Sequence, residues 1–211
     1  MPDEFGKYDV YAVAGSSYCY ADSNVLRNRF GITDSRQLRI IEADISSTRQ
    51  SEMYKAPVNG RFSPSHLCRI HRQLLGDVYS FAGHYRREDI AKGKTRFVHY
   101  SEIPMKLTKL LAELKSENYL QNTTMKTFVS RSAFYMAEMN YIHPFREGNG
   151  RAVREFIRLL YLKRGYRIRW DAVSAEELLS AMIDSLYDTA HLEEVLMQCI
   201  ESSLLDMQDS T

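Results

Sequence analysis

The sequence predicts a mainly α protein: one helical bundle carrying a single small β-hairpin. Three observations predict it. Apolar residues recur at i, i+3, i+4 and i+7 in segment after segment between Asp34 and Ile200, the period of a helix with one face inward. Several of these segments open on Ser, Thr or Asp, which accept the unpaired amides of a first helical turn. Only residues 86–100 abandon that period, around Lys92-Gly93-Lys94. The 211 residues fit one sizeable core, with no repeat, low-complexity segment or second domain.

Taken in order, residues 1–21 are rich in Tyr, Gly and Ser and read as an extended, surface-lying arm. Asp22 is expected to cap a short helix through Val25 and Leu26 that stops near Gly31. Asp34 with Gln37 forms a capping box for the next helix, with Leu38, Ile41 and Ile45 inward. Ser63-Pro64 opens another, carrying Leu67, Ile70, Leu74 and Val78. Cys68 and His71 lie three apart on it, but no second pair completes a metal site, so both read as structural. Arg87–Ile90 and Thr95–Tyr100 flank Lys92-Gly93-Lys94 as the hairpin, the one expected strand pair. A helix from Ser101 buries Ile103, Leu107, Leu110, Leu111 and Leu114. Thr124 to Asn140 is a further helix, with Val129, Ala133, Met136 and Ala137 on one side. Ser174 with Glu177 caps the next, and a last helix from Thr189 carries Leu192, Val195, Leu196, Cys199 and Ile200. Residues 206–211 are a polar tail.

Bulk properties exclude some classes of function. Lys and Arg total 28 against 27 acids, so no global charge steers the chain to nucleic acid or membrane. Cys19, Cys68 and Cys199 are odd in number and far apart, which offers no disulfide framework and suits a reducing compartment. The N-terminal residues lack an apolar signal core, and no apolar run approaches membrane-spanning length. The expectation is a cytoplasmic bacterial protein, with export by a dedicated secretion machine left open.

The stretch that organises the chain is His143-Pro144-Phe145-Arg146-Glu147-Gly148-Asn149-Gly150-Arg151-Ala152-Val153-Arg154. Pro144 biases His143 towards an extended backbone. Gly148 and Gly150 permit positive φ and a close approach of a ligand to the main chain. From Arg151 onward Val153, Phe156, Ile157, Leu160 and Tyr161 take helical spacing, and Gly165 is a C-terminal stop. A glycine loop therefore feeds a helix N-terminus, which favours an anion. Arg151 and Arg154, three apart, are placed to grip the same anion. No Lys-Ser/Thr follows the last glycine, so this is not a Walker A loop. Attack by a hydroxyl on a phosphate needs a base, a cation and neutralisation of the leaving group. His143 is the motif's one group titrating near neutrality, hence the candidate base. Glu147 is its one carboxylate and suffices as a protein ligand for Mg²⁺ (or Mn²⁺). The Gly148, Asn149 and Gly150 amides form a phosphate nest, with the Asn149 side chain a further donor.

These twelve residues resemble the complete signature of the Fic (Fido) family, His-Pro-Phe-x-Asp/Glu-Gly-Asn-Gly-Arg-x-x-Arg. Leu75–Gly83, Arg87–Ile90 and Arg96-Phe97 resemble the family's upstream segments. The resemblance implies a Fic-type helical bundle over residues 22–205 and transfer of AMP from ATP to a protein hydroxyl, with the roles already given to the motif residues. It makes Asn140 a nucleotide contact and the hairpin (Thr95, Arg96, Phe97, Val98) a flap that pairs with a target segment. An acid at Glu147, absent in some relatives, favours AMP transfer over phosphorylation.

The likeness is greatest to bacterial toxins whose inhibitor is a separate small antitoxin with Ser/Thr-x-x-x-Glu-Gly/Asn. That glutamate would pair with the second motif arginine, here Arg154. Thr48-x-x-x-Glu52 and Thr189-x-x-x-Glu193 match five positions but continue with Met53 and Glu194, so a partner in trans is expected. By analogy with related toxins the target is a type II topoisomerase subunit. The rival reading is a non-catalytic phosphate or nucleic-acid binding module, motivated by eight Lys/Arg from Arg146 to Arg169. Their crowding at one glycine loop, with aromatics at core spacing, argues against a nucleic-acid groove.

Overall fold

The computed structural model describes residues 16–92 and 95–201. Seven α-helices run through them: α1 Ser35–Lys55, α2 Pro64–Leu75, α3 Ile103–Ser116, α4 Met125–Ile142, α5 Asn149–Lys163, α6 Ala175–Asp184 and α7 Ala190–Cys199. Strands β1 Ala91–Lys92 and β2 Thr95–Arg96 pair antiparallel, with Ala91 opposite Arg96 and Lys92 opposite Thr95. This is the expected helical bundle with its hairpin.

The capping chemistry works as the sequence dictates. Asp34, Ser63, Thr124 and Ser174 each accept the amide of the residue three positions on, and Pro64 occupies the first turn of α2. Gly165, at φ +87, ends α5 as the amides of Gly165 and Tyr166 bond back to Leu162 and Tyr161.

The core sits around α5. Val153, Phe156, Ile157, Leu160 and Tyr161 are buried as expected, and Ala152 and Leu159 bury the flanks as well. α5 is buried over most of its circumference, Glu155 and Arg158 included, and α2 and α4 enclose it, with α1 outside α2 and α3 and α7 outside α4. Fully buried leucines such as Leu74 and Leu160 each contribute about 1.5–3 kcal/mol by leaving water.

Five expectations need correction. Val78 is buried but lies beyond α2, which ends at Leu75. Asp22 caps no helix: its φ is +54, and it turns the chain between an isolated bridge of Cys19 with Leu26. Ser16–Tyr20 is packed and does not lie as a loose arm, since Cys19 is buried and Tyr18 sits edge-on against Phe81. The remainder of the arm, residues 1–15, lies outside the described residues, as does the polar tail. A second antiparallel pair exists, β3 Arg167–Ile168 with β4 Ile200–Glu201, so Ile200 leaves the last helix. Two-residue strands are too short to show any alternation. On α1, Ile41 and Ile45 are only half-buried, and the inward positions belong to Leu38, Glu42 and Ser46.

Candidate active site

His143 ends α4 in the left-handed conformation, φ +48 and ψ 61, instead of the extended one expected before proline. Proline disfavours the right-handed region for its predecessor, and the left-handed turn both ends α4 and swings the chain towards α5. The imidazole Nδ1 lies 3.0 Å from the Asn140 carbonyl. Nδ1–H donates there, which in the neutral ring puts the lone pair on Nε2. The ring is stacked under Phe97 of the hairpin, centroids 3.8 Å apart, and is 3% exposed.

From His143 the loop crosses to α5 on internal braces. The Asn149 side chain accepts the Phe145 amide and donates to the Phe145 carbonyl, both at 2.8 Å. That side chain closes the loop with its Oδ1 and one Nδ2 hydrogen. Gly148 alone of the two loop glycines needs positive φ (+76); a Cβ there would meet Leu75 Cδ1 at 2.2 Å. His71, read as structural, is a post under this loop. Its Nε2–H donates to the Glu147 carbonyl at 2.7 Å, its Nδ1 accepts the Gly83 amide, and its ring stacks on Phe145. Full burial pushes its pKa down to about 4, so it is neutral at pH 7.

The two motif arginines point different ways. Arg154 reaches back over Gly150, where a Cβ would lie 3.3 Å from its Nη1. Arg151 turns to α1 and bonds to Glu42 at 2.7 Å and Ser46 at 2.9 Å, with Glu147 at 3.4 Å. Burial works against its charge, but Glu42 and Glu147 outweigh that and hold it protonated. Glu42 also accepts the Tyr79 hydroxyl. Sequence reasoning missed Glu42, although its spacing four after Leu38 marks an acid on an inward face.

A cavity of about 790 Å³ opens at this point. Thr95, Asn140, His143 and Arg154 supply polar groups to its lining, with Phe97 and Gly150 beside them. Trp170, Val173 and the α6 residues Leu178, Leu179, Met182 and Ile183 form an apolar wall that sequence reasoning did not single out. Asn140 donates to the Met182 carbonyl at 3.0 Å and so ties α4 to that wall. Gly148, Asn149, Arg151 and Glu147 support the site from behind the lining, Arg96 is exposed, and Val98 is buried beneath the flap.

Glu147 fits a hard cation in part. Its Oε1 accepts the Gly148 amide at 2.9 Å and faces Arg151. Among the described residues no three His, Cys, Asp or Glu side chains converge. That donor set suits Mg²⁺, which keeps waters and shares phosphate oxygens, and does not suit a tetrahedral zinc site.

Residues 61–161 match the Fic/DOC family. The chain is 37% identical over 176 residues to the probable protein adenylyltransferase Fic of Salmonella typhimurium, covering 83% of this chain and 84% of that protein. The chain belongs to the Fic/DOC family. Protein adenylyltransferase VbhT of Bartonella schoenbuchensis is 36% identical over 188 residues, 89% of this chain but 39% of that longer relative. Among solved structures, BepC of Bartonella tribocorum with bound AMPPNP shares the Fic fold at TM-score 0.81 and 21% identity, covering 87% of this chain and 96% of that one. The N-terminal Fic domain of a Bartonella quintana effector with bound ADP superposes at TM-score 0.83 and 24% identity, over 90% and 97%.

Proposed function

We propose that this Fic protein transfers AMP from ATP to a hydroxyl side chain of another protein and releases pyrophosphate. The observation that carries it is His143, its Nδ1 occupied by the Asn140 carbonyl, set in one cavity wall with Gly150 and Arg154. Nε2 takes the proton of the incoming hydroxyl, whose oxygen forms the new bond to the α-phosphorus. The bond from that phosphorus to the α,β-bridging oxygen breaks, and its electrons leave with pyrophosphate. Arg154 and the amides at the α5 N-terminus stabilise the departing charge. Mg²⁺ bound beside Glu147 would neutralise phosphate oxygens further. The apolar wall of α6 and Trp170 takes the adenine. The names of the curated relatives and the AMPPNP and ADP held by structural neighbours support this reading.

As to context, the protein acts as the toxin of a toxin–antitoxin pair, held by a small antitoxin whose glutamate meets Arg154. Its target is a type II topoisomerase subunit. Of the two in-chain near-matches, Glu52 pairs with Arg49, and Glu193 accepts from Ser130 and Thr189. No described helix is long and apolar enough to cross a membrane. Incubation with ATP labelled at the α- or the γ-phosphate tests the activity. Label from the α position alone is expected on protein; label from the γ position would make the reaction phosphorylation.

A further inference from the structure

We propose that Arg86 is a positioning residue that holds the flap and His143 at a fixed separation, an assignment that rests on the AMP-transfer reading. Arg86 is 1% exposed, and its guanidinium donates to several main-chain carbonyls. Its Nε donates to the His143 carbonyl at 2.8 Å, and its Nη1 to that of Glu88 at 2.8 Å. Its Nη2 donates both to the Val98 carbonyl and, at 3.4 Å, to that of Ile142. The Arg86 amide bonds to the Pro144 carbonyl at 2.9 Å, while the Val98 amide reaches the Tyr141 carbonyl at 3.4 Å. Four consecutive carbonyls, Tyr141 to Pro144, are thus held by two residues that flank the hairpin.

Asp89 lies 3.7 Å from the Arg86 guanidinium with its side chain half in solvent. A buried cation is stabilised by a negative field around it. The C-terminal carbonyls of α4 carry the negative end of that helix dipole and supply it. The same contacts have a mechanical result. His143 is a non-glycine residue in the left-handed region, which persists only where neighbours over-determine it. One planar guanidinium spans from the flap end at Val98 to the base at His143, a fork that a lysine ammonium does not reproduce. The base is therefore set relative to the strand edge on which a target would lie. The ATP end of the cavity, around Gly150 and Arg154, is not touched by Arg86 in these contacts.

Arg86→Lys tests this. Single-turnover AMP transfer should fall about 10²-fold while ATP affinity by calorimetry changes less than about threefold. Amide exchange at Val98 and His143 should quicken in the same variant. Arg86→Gln, which keeps an amide donor, is measured in parallel and should show the same split. Transfer within about threefold of wild type, or transfer and ATP affinity falling together, overturns the assignment. So does failure of both variants to fold, the mark of a purely structural residue. Absence of transfer by the wild-type protein would instead overturn the functional reading, and amide exchange would still test the Arg86 tie by itself.

Discussion

The imidazole of His143 lies beneath the ring of Phe97, 3.8 Å between centroids and 17° between planes. A residue of the hairpin thus covers the residue that ends α4, and the imidazole is screened from bulk water on that face. His143→Ala should lower AMP transfer by about 10²–10⁴-fold, the range for loss of a general base. ATP binding should persist, because Gly150 and Arg154 remain. Single-turnover transfer and ATP titration check both halves; near-wild-type transfer would remove His143 from the role.

Glu147→Gln keeps the shape of the side chain and removes its charge. ATP affinity should then lose most of its dependence on Mg²⁺ or Mn²⁺. Titration of metal at fixed ATP checks it, and equal metal dependence in the two proteins would place the cation elsewhere.

The two loop glycines should separate on substitution. Gly148→Ala forces a Cβ onto Leu75 at positive φ, costing about 1–2 kcal/mol for the backbone and about 1–3 kcal/mol for overpacking. Gly150→Ala meets only the tip of Arg154, so its stability should change by less than about 1 kcal/mol while ATP affinity falls. Denaturant midpoints and ATP titrations distinguish the two; equal losses of stability would contradict this geometry.

Stability should depend on pH through His71, and in the same sense through His66, whose pKa burial also lowers. A histidine with a folded pKa of about 4 binds fewer protons folded than unfolded between that value and the unfolded pKa near 6.5. Stability is therefore intact above about 6.5, falls as pH drops through the window, and stops falling from this source below about 4. For His71 the loss is on the order of 3 kcal/mol. Urea midpoints from pH 7 to 4 measure it, and His71→Asn should flatten part of the slope.

An inhibitor supplied in trans predicts that the isolated chain labels itself or a target without activation. Thr48→Ala/Glu52→Gly and, separately, Glu193→Gly should leave that labelling unchanged. A clear rise in either variant would make the inhibitor internal.

Much of this site is local, and so the sequence by itself determined it. The caps at Asp34, Ser63, Thr124 and Ser174, the apolar stripe of α5 and the stop at Gly165 depend on residues within four positions of one another. The motif is equally compact, and its twelve consecutive positions were enough to point to the family before any fold. What only the tertiary structure decided involves partners far apart in the chain. Arg151 meets Glu42 across 109 positions, His71 props Glu147 across 76, and Arg86 grips His143 across 57. Periodicity reports which face of a helix turns inward but not which neighbour waits there. The strand pair of Arg167–Ile168 with Ile200–Glu201 was hidden for the same reason, since each two-residue strand gains its hydrogen bonds only from the other. The left-handed turn at His143 was settled jointly: proline removed the right-handed region, and packing against the hairpin and Arg86 chose among the conformations left.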